Sequence, residues 1–238
     1  MSVKKIIVSD FDKTFYLNDD DIEINKITID KFRKKGNIFV IATGRSYFDL
    51  QNKVNLYHFK YDYALINHGA TIIDKNDNII YNFSIKDKII SSLKQDLKLD
   101  KIDRYFCCSE LESRVNFEHM NLTKIALVYN NKIDVQSLSN KLNKKYKEIN
   151  SYPVAQNMLE IISKETDKSK SIKLLVKYLG LSDLNNIYTI GDGYSDVSMI
   201  KDYNGYAMQN SVKKLKNVAN GEYKSVSKMI QDVLNNKI

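Results

Sequence analysis

Cysteine and arginine are scarce in this chain, proline occurs once, and long apolar runs are missing. The two cysteines, Cys107 and Cys108, are adjacent, and such neighbours cannot readily adopt disulfide geometry with each other. A reducing, cytoplasmic setting is therefore expected. No segment approaches the ~20 consecutive apolar residues of a membrane span, and the apolar stretch near the N-terminus is too short for a signal-peptide core. No membrane partner is expected. Polar low-complexity tracts are missing as well, and with 43% hydrophobic and 28% charged residues the 238-residue chain should fold throughout.

The shortage of arginine also qualifies the net charge of +8, because 33 of the 37 basic residues are lysines and only Arg33, Arg45, Arg104 and Arg114 break the pattern. Arginine is the side chain whose bidentate fork reads bases and phosphates, and the lysines are dispersed over predicted helices as solvated faces. A basic, non-catalytic nucleic-acid-binding protein is the rival from another functional class, and it rests on the charge alone. No nucleic-acid partner is expected.

What is present is alternation. A β-branched run at residues 4–9 reads as a buried strand ending at an acidic cluster, and a helix is expected near 26–35, stopped by Gly36. A strand at 37–42, a helix at 46–56 and a strand at 61–66 continue the pattern, which argues for a parallel sheet with right-handed crossovers. Residues 70–83 read as a hairpin turning at Lys75-Asn76-Asp77-Asn78. The middle of the chain looks like a separate α+β unit, with helices near 86–97 and 135–146 and β runs near 104–108, 123–129 and 158–162. The single proline, Pro153, falls near its end. The βα alternation then resumes with a helix from Lys168 to Leu179, a strand at 186–190, a helix beginning near Ser195, a β run at 205–208 and a last helix at 226–234. The expected fold class is α/β, a Rossmann-like doubly wound parallel sheet carrying a smaller inserted α+β domain. The core would comprise residues 1–79 and 161–238, and the insertion 80–160.

Three short motifs each follow an apolar β run. Asp10-Phe11-Asp12-Lys13-Thr14 places two acids where an open α/β sheet binds its ligands, beyond the carboxyl ends of the strands. Paired carboxylates repel, and a divalent cation is one way to offset that. Ala42-Thr43-Gly44-Arg45-Ser46 opens a helix with a hydroxyl and a close-approach glycine, the makings of a phosphate site. Gly191-Asp192-Gly193-Tyr194-Ser195-Asp196 surrounds one carboxylate with glycine and adds a second four residues on. Any one of these could be an ordinary capped turn; three at the same strand-end position favour a site.

Together these residues resemble the haloacid dehalogenase-like superfamily, and within it the Cof-type phosphatases, which carry a cap domain after the third core strand. Asp10-x-Asp12-x-Thr14 resembles the first motif, Thr43-Gly44-Arg45 the second, and Gly191-Asp192 to Asp196 the fourth. The third motif is a lysine at a helix start; the register of apolar residues downstream favours Lys168, with Lys170 the runner-up. Lys13 stands where the family usually has glycine, Ser195 where asparagine is common, and His68 departs from the usual loop after the third strand.

The resemblance implies a Mg2+-dependent phosphoric monoester hydrolase acting on a small phosphorylated metabolite, a sugar phosphate or a nucleotide-like cofactor. Asp10 would be the nucleophile, Asp12 the general acid and base, and Thr43 and Lys168 would hold phosphoryl oxygens. Gly44, Arg45, Asn67 and Ser195 would contact substrate. The metal set implied is Asp10, Asp12 (through its backbone carbonyl), Asp192 and Asp196, the last orienting the metal shell. In the insertion, Arg104, Arg114, His119 and the Tyr105/Phe106 pair are candidates for the leaving group. A phosphomutase of the same superfamily is the nearest alternative, and nothing in the sequence indicates an oligomeric state.

Overall fold

A computed structural model of the chain describes residues 4–97, 102–130 and 133–238. Its larger sheet has eight strands. β1 (Ile6–Ser9) lies at the centre, between β2 (Ile38–Ala42) on one side and β11 (Ile187–Gly191) on the other. Beyond β2 come β3 (Tyr63–Ile66) and an antiparallel hairpin of β4 (Thr71–Asp74) and β5 (Ile79–Asn82). Beyond β11 come β12 (Asn204–Met208) and the short β13 (Glu222–Tyr223). From β13 to β3 every pairing is parallel. The connection after β1 runs to β2 on one side and that after β11 runs to β12 on the other, so the strand order reverses between β1 and β11, and a crevice opens at their carboxyl ends.

The strands are apolar on both faces because both are covered. Ile7, Phe39 and Ile41 point toward α1 (Asp19–Lys34), α2 (Tyr47–Tyr57) and α8 (Val226–Leu234), meeting Phe32, Leu50 and Met229. Their neighbours Ile6, Val8 and Val40 point the other way, onto Ile172 and Leu175 of α5 (Lys168–Tyr178) and Ile200 of α6 (Val197–Asp202). This alternation is the period-two pattern of a strand buried between two helical layers.

Between β5 and α5 the chain builds a second sheet, wholly antiparallel, in the order β7-β6-β8-β10-β9. Its strands are β6 (Arg104–Ser109), β7 (Glu112–Val115), β8 (Leu122–Val128), β9 (Ile149–Ala155) and β10 (Met158–Ser163). One face packs under α3 (Asp87–Asp96) and α4 (Val135–Lys145) through Cys107, Ile125, Leu127, Leu159 and Ile161. The other face, carrying Phe106, Lys124 and Glu160, turns to the core sheet and lines a cavity of about 680 Å³ between them. The fold is thus a doubly wound α/β core with a smaller inserted α+β unit.

Three local expectations change. α1 starts at Asp19, earlier than the expected Lys26, because Asn18 caps it and Asp19, Asp20 and Asp21 favour the positive end of the helix dipole. Residues 149–155, which lack clean alternation, form edge strand β9 with Pro153 inside it, where a missing N–H is tolerated. The helix expected to start near Ser195 begins as a 3-10 turn over Tyr194–Asp196 before α6. Among the described residues, no helix is long and apolar enough to cross a membrane.

Candidate active site

The floor of the cavity is the carboxyl edge of the core sheet. Asp10 directly follows β1, its amide donating to the Ile190 carbonyl of β11, so that two neighbouring strands fix its position. Lys168, the first residue of α5, is 1% exposed at its side chain and bridges two carboxylates, reaching Asp10 Oδ1 at 2.7 Å and Asp196 Oδ1 at 2.6 Å. Lys170, two residues on, donates to the Lys164 carbonyl in an exposed position. Lys168 is therefore the lysine brought to Asp10.

Asp196 has both oxygens committed. Its Oδ2 accepts the amides of Asp192 at 3.0 Å and Gly193 at 2.9 Å, which bends the Gly191–Asp196 loop around it. Gly191 is required here, since a Cβ would fall 2.6 Å from the Asp196 side chain. The Asp192 carboxylate is steadied by Thr14, whose Oγ1 donates to it at 3.2 Å. Asp10, Asp192 and Asp196 each offer an oxygen within 4.8 Å of the others. Three carboxylates against one ammonium leave two negative charges, the complement of one divalent cation.

The electrostatics register that imbalance. Burial, reinforced by Asp196 and Asp192, pushes the Asp10 carboxyl well above the ordinary range despite Lys168. Burial and then Asp196 push Asp192 up to about 6. Lys168 moves the other way: burial would lower it, but Asp10 and Asp196 together raise it, so it stays an ammonium. An all-oxygen donor set of carboxylates suits a hard cation such as Mg2+, so the residues present fit the metal that the resemblance implies.

The other predicted residues are distributed around this centre. Asp12 is outside the carboxylate group; its side chain is about half exposed and takes the full fork of Arg45, Oδ2 to Nε at 2.8 Å and Oδ1 to Nη2 at 2.7 Å. Arg45 also lies 5.4 Å over the Phe11 ring. Thr43 is buried and its hydroxyl accepts the Arg45 amide at 3.1 Å, closing the loop before α2. Gly44, Arg45 and Ser195 line the cavity. Asn67 does not: it is fully buried and its amide donates to Thr123 of β8 at 3.3 Å, tying the loop after β3 to the inserted sheet.

Of the candidates in the insertion only Phe106 lines the cavity. Arg114 lies over Phe48, and His119 pairs with Glu112. Sequence reasoning passed over Lys124, Glu160 and Tyr152, which do line it. A signal existed for two of them, since Lys124 and Glu160 each interrupt an apolar strand with a charge, in Leu122-Thr123-Lys124-Ile125-Ala126 and Met158-Leu159-Glu160-Ile161-Ile162.

Known proteins resemble this chain in sequence and in fold. The family model described as haloacid dehalogenase-like hydrolase matches residues 7–119 and 107–229. A protein of Buchnera aphidicola subsp. Baizongia pistaciae, provisionally named a phosphatase, is 28% identical over 269 residues, covering 96% of this chain and 97% of the relative. An uncharacterized protein of Mycoplasma capricolum is 30% identical, covering 83% of this chain and 87% of its own length. In fold, a haloacid dehalogenase-like hydrolase from B. subtilis matches with a TM-score of 0.84 at 16% identity, over 95% of this chain and 99% of that one. A HAD/COF-like hydrolase from Plasmodium vivax matches with a TM-score of 0.84 at 16% identity, over 98% and 96% of the two chains. With its motifs gathered at one strand edge and the family model spanning nearly its whole length, the chain belongs to the haloacid dehalogenase-like hydrolases.

Proposed function

We propose that this hydrolase is a Mg2+-dependent phosphatase for a small phosphorylated metabolite, working through an aspartyl-phosphate on Asp10. The observation that carries the reading is the buried centre of three carboxylates and one ammonium at the end of β1, open to the cavity between the two sheets. The provisional phosphatase name of the Buchnera relative points the same way.

Asp10 attacks the phosphorus with the oxygen that Lys168 leaves free, and the bond from phosphorus to the leaving oxygen breaks. Asp12, in its acid form, gives its proton to that oxygen. To do so it leaves the Arg45 fork, which then takes phosphoryl oxygens in its place, since guanidinium binds carboxylate and phosphate with the same two parallel donors. Water next attacks the phosphorus, Asp12 takes its proton, and the Asp10–phosphorus bond breaks to release phosphate. Lys168 and the Thr43–Gly44 turn balance charge on the remaining oxygens. Asp10 and Asp192 would hold the metal with the Asp12 backbone carbonyl, while Asp196 orients Lys168 and the loop. When bound, Mg2+ neutralises phosphoryl charge. Residues 80–160 act as the cap domain over the core of 1–79 and 161–238, excluding bulk water and meeting the leaving group. The free, buried Cys107 and Cys108 fit a cytoplasmic setting.

The test is phosphate release from para-nitrophenyl phosphate, sugar phosphates and nucleotides, with Mg2+ or EDTA, in wild type and Asp10→Asn. Release that requires both metal and Asp10 supports the reading. Transfer of phosphate between sugar hydroxyls without net release would replace it with a phosphomutase, and Asp10→Asn at full activity would end it.

A further inference from the structure

The inserted sheet contributes a second buried ionic group that the proposed chemistry does not use. Lys124 on β8 is 2% exposed, and its ammonium has two partners: Glu160 Oε1 on β10 at 2.9 Å, and the backbone carbonyl of Gly44 in the core at 2.5 Å. Glu160 opposes Ala126 in the β8–β10 ladder, so Lys124 is its diagonal neighbour on the same face. The other Glu160 oxygen meets His68 Nε2 at 2.5 Å. His68 in turn closes on the same loop. Its amide donates to the Thr43 carbonyl at 2.8 Å, and its ring fills the space above Gly44, where a Cβ would fall 2.5 Å from Cε1.

Protonation agrees with that wiring. Burial would raise Glu160, yet Lys124 and His68 hold it down at about 2. Burial would lower Lys124, yet Glu160 keeps it charged. Burial lowers His68 against the pull of Glu160, so the ring is neutral and donates Nε2–H. Burying an ammonium and a carboxylate is costly and does not by itself stabilise a fold, so an apolar pair would serve the inserted sheet as well or better. What an apolar pair could not do is hold the Gly44 carbonyl across the boundary between the sheets.

We propose that Lys124 and Glu160 of the inserted sheet, together with His68 of the loop after β3, are positioning residues that clamp the Thr43–Arg45 turn and so fix the phosphate-facing side of the core site. The clamp stands on geometry alone; only its consequence for turnover rests on the phosphatase reading.

The double variant Lys124→Met/Glu160→Met removes both charges together and tests this in the full chain, with thermal unfolding as the control for folding. Amide hydrogen exchange over residues 43–46 should rise by about tenfold or more through local opening, with the unfolding temperature held. In the same protein kcat for para-nitrophenyl phosphate should fall by about 10–100-fold, more than KM rises, as expected when a turn is misplaced without losing its chemistry. Unchanged exchange at 43–46, or raised exchange with wild-type kcat, overturns the proposal. If wild-type release proves independent of Asp10, the phosphatase reading fails while the exchange result still decides the clamp. Should the double variant not fold, Glu160→Gln carries the same two readouts with one charge removed and the shape kept.

Discussion

Two buried lysines, 44 positions apart in sequence, sit in centres of different charge balance, Lys124 on the inserted sheet and Lys168 beneath the carboxyl edge of the core sheet. Lys124 has one carboxylate partner, and the pair is balanced, with Glu160 held low at about 2. Lys168 faces Asp10 and Asp196 with Asp192 close by, so charge is left over and two carboxyls are pushed upward. A balanced pair has no need of a further ion and serves geometry. An unbalanced centre is one that a cation completes, and the surplus sits where the nucleophile of a phosphoryl transfer would stand. In the proposed function this difference separates a positioning group from a reacting one, although both are buried, charged and hydrogen-bonded.

Removing the proposed nucleophile gives the largest expected contrast. Asp10→Asn should lower kcat by more than about 10³-fold, well beyond the effect of the Lys124/Glu160 double variant, as measured by phosphate release under saturating Mg2+. Asp12→Asn should cost about 10²–10⁴-fold in kcat, least for leaving groups that need no proton, so the loss should shrink for para-nitrophenyl phosphate. Asp196→Asn should weaken Mg2+ binding by about 10–100-fold by calorimetry, because it orients the loop that presents Asp192. The same loss after Glu160→Gln would erase the distinction between the two centres.

Metal and pH address the surplus charge directly. Saturating Mg2+ should stabilise the protein by about 2.7 kcal/mol at 100 times its Kd, measured by denaturant unfolding. In EDTA, Asp192 titrates at about 6 in the folded protein against 3.8 for an ordinary aspartate, so the folded state binds this proton more tightly. Its contribution is fully present below 3.8 and is lost as pH rises through about 6. Mg2+ should flatten that slope; a slope unchanged by Mg2+ would mean the ion binds elsewhere. The smallest effect belongs to Lys170→Ala, which should leave activity intact and move stability by no more than about 0.5 kcal/mol.

The core was legible because its signals are local. Each motif directly follows an apolar strand, and the sheet brings the ends of β1, β2 and β11 together whatever lies between them in sequence. Between Lys168 and Lys170, both in the first turn of α5, the apolar register of the helix favours Lys168, and packing is what turns Lys168 inward and leaves Lys170 at the surface. Asn67 shows the same dependence on packing: its loop is at the site, but its left-handed backbone turns the side-chain amide toward Thr123. Lys124 and Glu160 were missed because their meaning lies in a pairing between β8 and β10 that spacing does not reveal. Edge strands β7 and β9, with Pro153 in the latter, carry too little alternation to announce themselves.

The most direct test of the central claim is to stop turnover of para-nitrophenyl phosphate with acid, reduce with borohydride, and read the mass of the peptide spanning Ile6 to Lys13. An acyl-phosphate on Asp10 is reduced to homoserine, and the account predicts that change at Asp10, dependent on both substrate and Mg2+. Phosphate released at full rate with Asp10 unmodified throughout would contradict it.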